Sequence, residues 1–421
     1  MTMDQVSIEK LLKETFHFDY VRDLFLGDSP FYNKLNRDTK GGGEDVIRAP
    51  LRFGPSGGQS WDIADAKKVA YANKPATSAF SVPYLEYNHW NTATDRALRV
   101  ALKKGPEAFI AAMDLLLQDL FYLERRWLSI ALFKDGWGTI GQIAAGSAVN
   151  STTLLLEDVN DALNFEIGQQ LEVATAKGDA AKALGSSNNG LIVTGVDTFN
   201  GVLTFGFNVN DATNGIPTIA AGDFIYRLGD AQADTYTAPQ GLASYLTQTD
   251  LSTPFMGVTR SQNPQRLAGV FVDGNGIPLV EALNRGAVEA IKYGGKPDTC
   301  LVSHDTYQTL INANEGKVQV LQHGPAKFGF STAVLDTARG QIEVMPEICC
   351  PNDKMYMLQM DSWKLVTVGD EMYNVGTDVG DSLRLRLDPD YNIWTLRHSF
   401  LGNVVCDAPG HNTVVTIGAE V

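Results

Sequence analysis

GPEAFIAAMDLLLQDLFYLERRWLSIALFKDGWG, residues 105–138, is the strongest helical signal in the chain. Pro106 suits a first helical turn, where its missing N–H is no loss. Phe109, Met113, Leu116, Leu117, Leu120, Trp127 and Ala131 then recur at helical spacing until Gly136 and Gly138 end the pattern. About thirty residues at ~1.5 Å each give a rod of roughly 45 Å. That is long for a globular domain and reads as a structural spine. It does not read as a membrane span, because Asp114, Asp119 and the Glu124-Arg125-Arg126 cluster interrupt it.

Upstream, residues 4–26 predict a helix with Ile8, Leu11, Leu12, Phe16, Tyr20 and Leu24 on its apolar positions, stopped by Gly27, Ser29 and Pro30. Between Glu44 and Trp90 the composition changes. VIRAPLRF and AFSVPYLEY read as the two arms of a long two-stranded excursion, in which Phe80, Val82 and Tyr84 share a face. The stretch between them is polar, and Pro50, Pro75 and Pro83 favour edge or unpaired backbone. A long excursion of this kind needs a job, and reaching a neighbour is the natural one.

Downstream, TTLLL, QLEVATA, LIVTGV, VLTFGF and DFIYRL, separated by turns such as Asn188-Asn189-Gly190, predict a small all-β barrel or sandwich over residues 147–229. This stretch holds nine carboxylates and three cations. The rest is mixed: a helix from Leu279 to Tyr293, a strand DTCLVS, a helix from His304 capped by Ser303, and strands MYMLQM and WKLVTV. A hairpin follows in which Leu383, Leu385 and Leu387 alternate with charges before IWTLRHSF returns.

A chain of 421 residues has room for two or three domains. With 44% hydrophobic and 20% charged residues it is built to fold. The net charge of -15 argues against a nucleic-acid reader or a binder of anionic membranes. The opening MTMDQVSIEKLLKE has no basic-then-apolar pattern, so synthesis and residence in a cytoplasm are expected, with Cys300, Cys349, Cys350 and Cys406 as reduced thiols.

No catalytic constellation emerges. Ser303-His304-Asp305 are consecutive and read as a helix cap and first turn. His304, His323 and the cysteines match no zinc spacing, and Asp273-Gly274-Asn275-Gly276 reads as a turn, since Asn284 stands where a calcium loop needs Glu. Gly41-Gly42-Gly43 and Gly54 to Gly58 lack the Gly-Lys-Ser/Thr of a phosphate loop and read as flexible joints. Lys103-Lys104 and Arg125-Arg126 read as solvated helix charges, with a contact to nucleic acid the lesser alternative.

An arm, a long loop, a spine helix and a projecting β unit suit a chain that grips copies of itself. In this order the elements resemble the major capsid proteins of tailed bacteriophages, an α+β chain with the Hong Kong 97-type fold. The resemblance rests on FHFDYVRDLFLGDSPFYNKLN, the Glu44–Trp90 loop, the Pro106–Lys134 helix, the helix-strand-helix from Leu279 to Ala313, and RLRLDPDYNIWTLRHSFLGNVV.

What it implies is an N-terminal arm (1–43), an extended loop (44–90), a peripheral domain with the spine helix (91–146), an inserted β domain (147–229), an axial domain (230–350) and peripheral strands with the C-terminal segment (351–421). The insert's place directly after the spine departs from the usual site within the axial domain. The resemblance further implies hexamers and pentamers of identical chains forming an icosahedral virion shell around double-stranded DNA. A separate scaffolding protein, a portal and a decoration protein are the other implied partners, with no cofactor, no metal and no enzymatic role. Candidate assembly contacts are Phe16, Phe18 and Tyr20 in the arm and Phe53, Gly57, Gly58, Trp61, Lys67 and Lys68 in the loop. Some relatives join a loop Lys to a peripheral Asn by an isopeptide bond, for which Lys67, Lys68 or Lys74 and Asn392 are the candidates. An encapsulin-type compartment shares the fold and stands as the alternative, and a soluble enzyme with a β-barrel appendage as the second.

Overall fold

The computed structural model describes residues 29–39, 46–54, 56–72, 76–96, 99, 103, 121–313, 333–337, 340–369, 373–374, 386–387 and 391–418. The helix expected over 4–26, the Gly41-Gly42-Gly43 joint, residues 106–120 of the spine and Leu383 and Leu385 lie outside the described residues. Among the described residues are three six-stranded sheets and a two-stranded ribbon.

The first sheet is organised on one long strand, β19 (Ile393–Cys406). Along one edge it pairs antiparallel with β4 (Leu85–Thr94), from Ile393↔Thr94 to Gly402↔Leu85. Along the other edge it pairs in turn with β18 (Arg386–Leu387), β17 (Tyr373–Asn374) and β16 (Trp363–Thr367). β16 then takes β1 (Asn36–Asp38) as a parallel neighbour. The described part of the spine, helix α3 (residues 121–133), packs on this sheet: Trp127 meets Phe400 edge-on, and Phe121 meets His398 in the same way.

The second sheet follows directly from the spine, in the order β5 (Thr139–Gln142), β10 (Phe224–Arg227), β7 (Gln170–Ala174), β8 (Leu191–Asp197), β9 (Val202–Phe205) and β6 (Thr153–Leu155). Its two ends meet at the bridge Ile143↔Leu156, flanked by Ala144 N–H to Leu155 O and Glu157 N–H to Gln142 O, both 2.9 Å. The sheet therefore closes on itself around a core of its own that includes Leu171, Val173, Leu203 and Phe205. All five strands read from the sequence in this stretch are present, and β5 adds a sixth ahead of residue 147.

The third sheet runs β11 (Val270–Asp273), β20 (Thr413–Thr416), β15 (Lys354–Leu358), β12 (Thr299–Val302), β14 (Gly340–Pro346) and β13 (Ala333–Thr337). Helix α4 (Leu279–Lys292) buries Leu279, Ala282, Leu283, Gly286, Ala287 and Ala290, a stripe at helical spacing. A Cβ at Gly286 would stand 2.6 Å from Val415 Cγ2, so the missing side chain sets how closely the helix lies on the sheet. Helix α5 (His304–Ala313) is capped as expected, Ser303 Oγ accepting the Thr306 N–H at 3.2 Å. Two expected boundaries fall inside sheets: residue 350 separates β15 and β20 from the β12 and β11 they pair with, and residue 90 divides β4.

An unbroken series of edge-to-face aromatic contacts joins these elements. It runs from Tyr356 of β15 through Phe133 of α3 to Phe31 of helix α1 (Pro30–Lys34), then through Trp363 of β16 to Tyr245 and Phe80, with centroids 5.5–6.3 Å apart. Each such pair adds about 0.5–1.5 kcal/mol beyond its burial. Two buried asparagines fasten the same core. Asn403 Oδ1 accepts from Gln240 N and its Nδ2 donates to Pro83 O, both at 2.9 Å; Asn412 Oδ1 accepts from Gln359 N at 2.9 Å and Trp363 Nε1 at 3.1 Å. The four cysteines are free, and burial pushes the Cys300 thiol up to about 12.

The closed β unit is tied to the spine by charge. Lys134 meets Asp161 at 2.6 Å, and Arg126, with a side chain only 12% exposed, reaches the Glu166 carboxylate, the Leu163 carbonyl and, at 2.7 Å, Tyr122 Oη. The reading of Arg126 as a solvated charge is therefore corrected: besides Tyr122 on its own helix, the Leu163 carbonyl and the Glu166 carboxylate, 37 and 40 residues away, hold it. Tyr87 of β4 lies flat on Trp127, centroids 3.8 Å apart, and accepts a hydrogen bond from Arg227 Nη1 of β10 at 2.6 Å. Next to it, His89 and His398 face each other across β4 and β19, both buried, with His89 Nε2 and both ring nitrogens of His398 unpartnered.

Gly241 lies against the end of α3, where a Cβ would stand 2.3–2.5 Å from the carbonyl oxygens of Ala131, Leu132 and Lys134. Gly241→Ala is expected to cost about 1–3 kcal/mol, because backbone cannot swing aside as a side-chain tip can. An unchanged denaturant midpoint would contradict this. The buried histidines give a pH dependence. Burial first, then the Arg227 and His398 charges, lowers the His89 pKa from 6.5 to about 3. Stability from neutral His89 is thus present above pH 6.5 and is lost as pH falls towards 3, at about 1.4 kcal/mol per unit of depression. Asp230, raised to about 6 by burial, acts with the opposite sign below pH 6. His89→Asn should flatten the acid-side fall in melting temperature relative to the parent chain; equal slopes would contradict the assignment.

Candidate assembly surfaces

The two-stranded ribbon, β2 (Val46–Gly54) and β3 (Ala76–Pro83), pairs antiparallel from Val46↔Pro83 to Gly54↔Ala76. Nine residues at ~3.3 Å give it a length of roughly 30 Å. It is anchored in the main core along its strands, where Ala49, Leu51, Phe80 and Val82 are buried. Phe80 and Val82 are fully buried, Phe80 sits edge-on to Tyr245 and Phe255, and Ser81 N–H reaches Met256 O at 2.9 Å. Phe53 belongs to this anchored part: it packs on the main core, and its carbonyl accepts Arg266 Nη1 at 2.6 Å.

Beyond Gly54 the excursion, read as polar loop, contains helix α2 (Ile63–Ala72). The signal was local. Asp62 Oδ1 accepts the Ala64 N–H at 2.8 Å as an N-cap, and Ala64, Ala66, Lys67, Lys68 and Ala70 are good helix formers. Gly57, at φ +115°, occupies backbone that favours glycine, and Gly58 lies under the helix, where a Cβ would stand 1.9 Å from Ala66 O. The loop glycines thus have steric work in seating α2 as well as their expected role as joints.

The outer face of this tip is apolar and uncovered. Trp61 is fully exposed, Ile63 is 87% exposed and Val69 is also exposed, with Lys67 and Lys68 beside them in solvent. The structure therefore brings Gly57, Gly58, Trp61, Lys67 and Lys68 together at one end of the ribbon, sets Phe53 against the main core beside the Gly54↔Ala76 end, and leaves Phe16, Phe18 and Tyr20 outside the described residues. Asn392 lies on another element, its carbonyl accepting the Asp95 N–H at 3.0 Å.

Sequence reasoning missed the residue that holds the chain at Ser29 and Phe31, within the expected arm. Glu347 is wholly buried. Its Oε2 accepts from Ser29 Oγ at 2.8 Å and Phe31 N at 3.0 Å, and Oε1 accepts Ile348 N at 3.2 Å. Burial raises its pKa against those hydrogen bonds. No local signal marks it, since Ser29 is 318 positions away. Among the described residues no group of His, Cys, Asp and Glu is placed to hold a metal ion, and no helix is long and apolar enough to cross a membrane.

Several comparisons bear on this architecture. The solved cyanophage A-1(L) capsid chain superposes with a TM-score of 0.54 at 13% identity, covering 96% of each chain. The capsid of Myoviridae phage XM1 gives 0.43 at 9% identity, over 97% of this chain and 98% of that one. The SrpI encapsulin of Synechococcus elongatus PCC 7942 gives 0.45 at 10% identity, over 99% and 96%. At scores below 0.5 the last two add nothing to the fold assignment. No curated protein matches the chain. The family model described as SU10 major capsid protein matches residues 165–385, more than half of the sequence. The chain therefore belongs to the SU10 major capsid protein family and is a structural coat protein of the tailed-phage type, with a Hong Kong 97-type fold.

Proposed function

We propose that copies of this coat protein close into hexamers and pentamers that tile an icosahedral head around double-stranded DNA. The observation that carries the reading is the ribbon: anchored along its strands by buried Phe80 and Val82, it ends in Trp61, Ile63 and Val69, which are exposed and which none of the described residues covers. Covering one such side chain contributes about 1.5–3 kcal/mol, repeated at every subunit contact. The working step is physical and needs no catalytic group. Each tip lies on an adjacent copy, the arm with Phe16, Phe18 and Tyr20 crosses another, and lattice contacts stabilise the fold by mass action.

In this reading residues 1–43 are the arm, 44–84 the extended loop and 147–229, with β5, the inserted β domain. The strand pairings support counting 85–94 with the peripheral sheet and 354–358 and 413–416 with the axial one. A separate scaffolding protein, a portal and a decoration protein complete the particle, made in a bacterial cytoplasm. The net charge of -15 restricts DNA to non-specific contact.

Expression of the chain, alone and with its neighbouring genes, followed by electron microscopy, should give closed angular shells. A uniform population of monomers under both conditions would contradict the proposal. Trp61→Ser should leave monomer stability within about 0.5 kcal/mol, as a fully exposed position allows. It should slow assembly about tenfold, the equivalent of ~1.4 kcal/mol; unchanged assembly would remove the tip from the contact.

A further inference from the structure

Two surfaces of the chain carry opposite charge, and both expose apolar side chains. Residues 46–83 hold five cations (Arg48, Arg52, Lys67, Lys68, Lys74) and two carboxylates (Asp62, Asp65), a basic island in a strongly acidic chain. The closed β unit is the reverse, with nine carboxylates and three cations between 147 and 229. All three of those cations are engaged: Lys177 with Asp135, Lys182 with Asp223 at 2.6 Å, and Arg227 with Tyr87 Oη. The unit therefore offers uncompensated negative charge at its surface.

At one end of the unit this charge surrounds an apolar patch. Phe199 is 88% exposed, and Leu155 and Val159 are exposed beside it, with exposed Glu157 between the latter two in sequence. They are contiguous. Leu155 pairs with Val202, Leu156 N–H reaches Gly201 O at 2.9 Å, and a Cβ on Gly201 would stand 3.0 Å from Val159 Cα. The turn is stiff: Asp197 Oδ1 accepts the Phe199 N–H at 3.0 Å and the Asn200 N–H at 3.2 Å, while its Oδ2 accepts Asn200 Nδ2 at 2.7 Å. These bonds, those from Asn200 first, also hold the Asp197 carboxyl below its usual range and so ionised. An aromatic ring is thus held out into water on a rigid turn that carries the Asp197 carboxylate.

We propose that the ribbon tip of one copy docks on the Leu155, Glu157, Val159 and Phe199 face of the β unit of a second copy, with Lys67 and Lys68 against Glu157 and Asp197 and Trp61 against Phe199. Charge complementarity selects this pairing. Two β units meeting face to face would bring like charges together, whereas the ribbon, with exposed Arg48, Arg52, Lys67 and Lys68 against Asp62 and Asp65, is net basic among the described residues and ends in an apolar tip. The proposal rests on the coat-protein reading and names the surface that receives the tip.

Carbodiimide treatment of assembled particles, which joins amines to carboxylates in direct contact, tests it. Peptide mapping should show Lys67 or Lys68 joined to Glu157 or Asp197 of another copy. Charge reversal gives an independent readout. Lys67→Glu with Lys68→Glu should slow assembly at least tenfold at low salt, and adding Glu157→Lys and Thr198→Lys, Thr198 being exposed between Asp197 and Phe199, should restore it to within about twofold, with folding of every variant checked by its melting temperature. Particles in which both lysines join other sites, or a second protein, would overturn the docking while leaving the coat function intact, as would a reversal that slows nothing or is not rescued. A wild-type chain that forms no particles would overturn both readings.

Discussion

A two-stranded ribbon cannot bury its own apolar side chains, because each strand has one neighbour, and needs a second layer of structure to do so. This chain supplies that layer along the strands and not at the tip. Along the strands, Ala49, Leu51, Phe80 and Val82 pass into the main core, Phe80 beside Tyr245 and Phe255. At the tip, Gly57 and Gly58 fold the chain under α2 and leave Trp61 and Ile63 in water. None of the described residues covers this apolar surface, and in the proposed lattice of identical chains each tip would find its cover on another copy.

A projecting tip transmits force only if its base is rigid, and the interior is arranged accordingly. β19 carries β4 on one edge and three short strands on the other, so a single strand sets the register of the whole peripheral sheet. Asn403 then fastens the end of the ribbon to that strand through Pro83 O. The Tyr87–Trp127 stack and its Arg227 hydrogen bond extend the same rigidity to the β unit. Around Arg227, His89 and Asp230 are shifted in opposite directions by burial, so this junction responds to acid through two opposed contributions.

Much of this was legible in the sequence because it is local. Period-2 alternation and Asn/Gly turns marked the strands of the closed β unit, and the Gly294-Gly295 stop and the Ser303 cap marked the ends of α4 and the start of α5. The helix α2 escaped because its apolar residues are too few to make a periodic stripe; the Asp62 cap and the alanines were the available signal. The partners of Arg126 and Glu347 escaped for another reason. They lie 40 and more than 300 residues away, and no spacing rule spans such separations. The expected boundaries at 90 and 350 fall inside sheets because strands of one sheet come from distant parts of the chain, so composition changes along the sequence do not mark where a sheet ends. The tip residues were nameable from sequence, but their common exposure became visible only once α2 was in place.

The central claim is that the ribbon tip finds its cover only in the assembly. Hydrogen exchange of residues 56–72, compared between the free chain and the assembled particle, tests it most directly. The account predicts amides that exchange readily in the free chain, where α2 packs on little else, and strong protection in the particle. Equal protection in both states would mean that the tip is already satisfied within one chain, and the assembly role assigned to it would be contradicted.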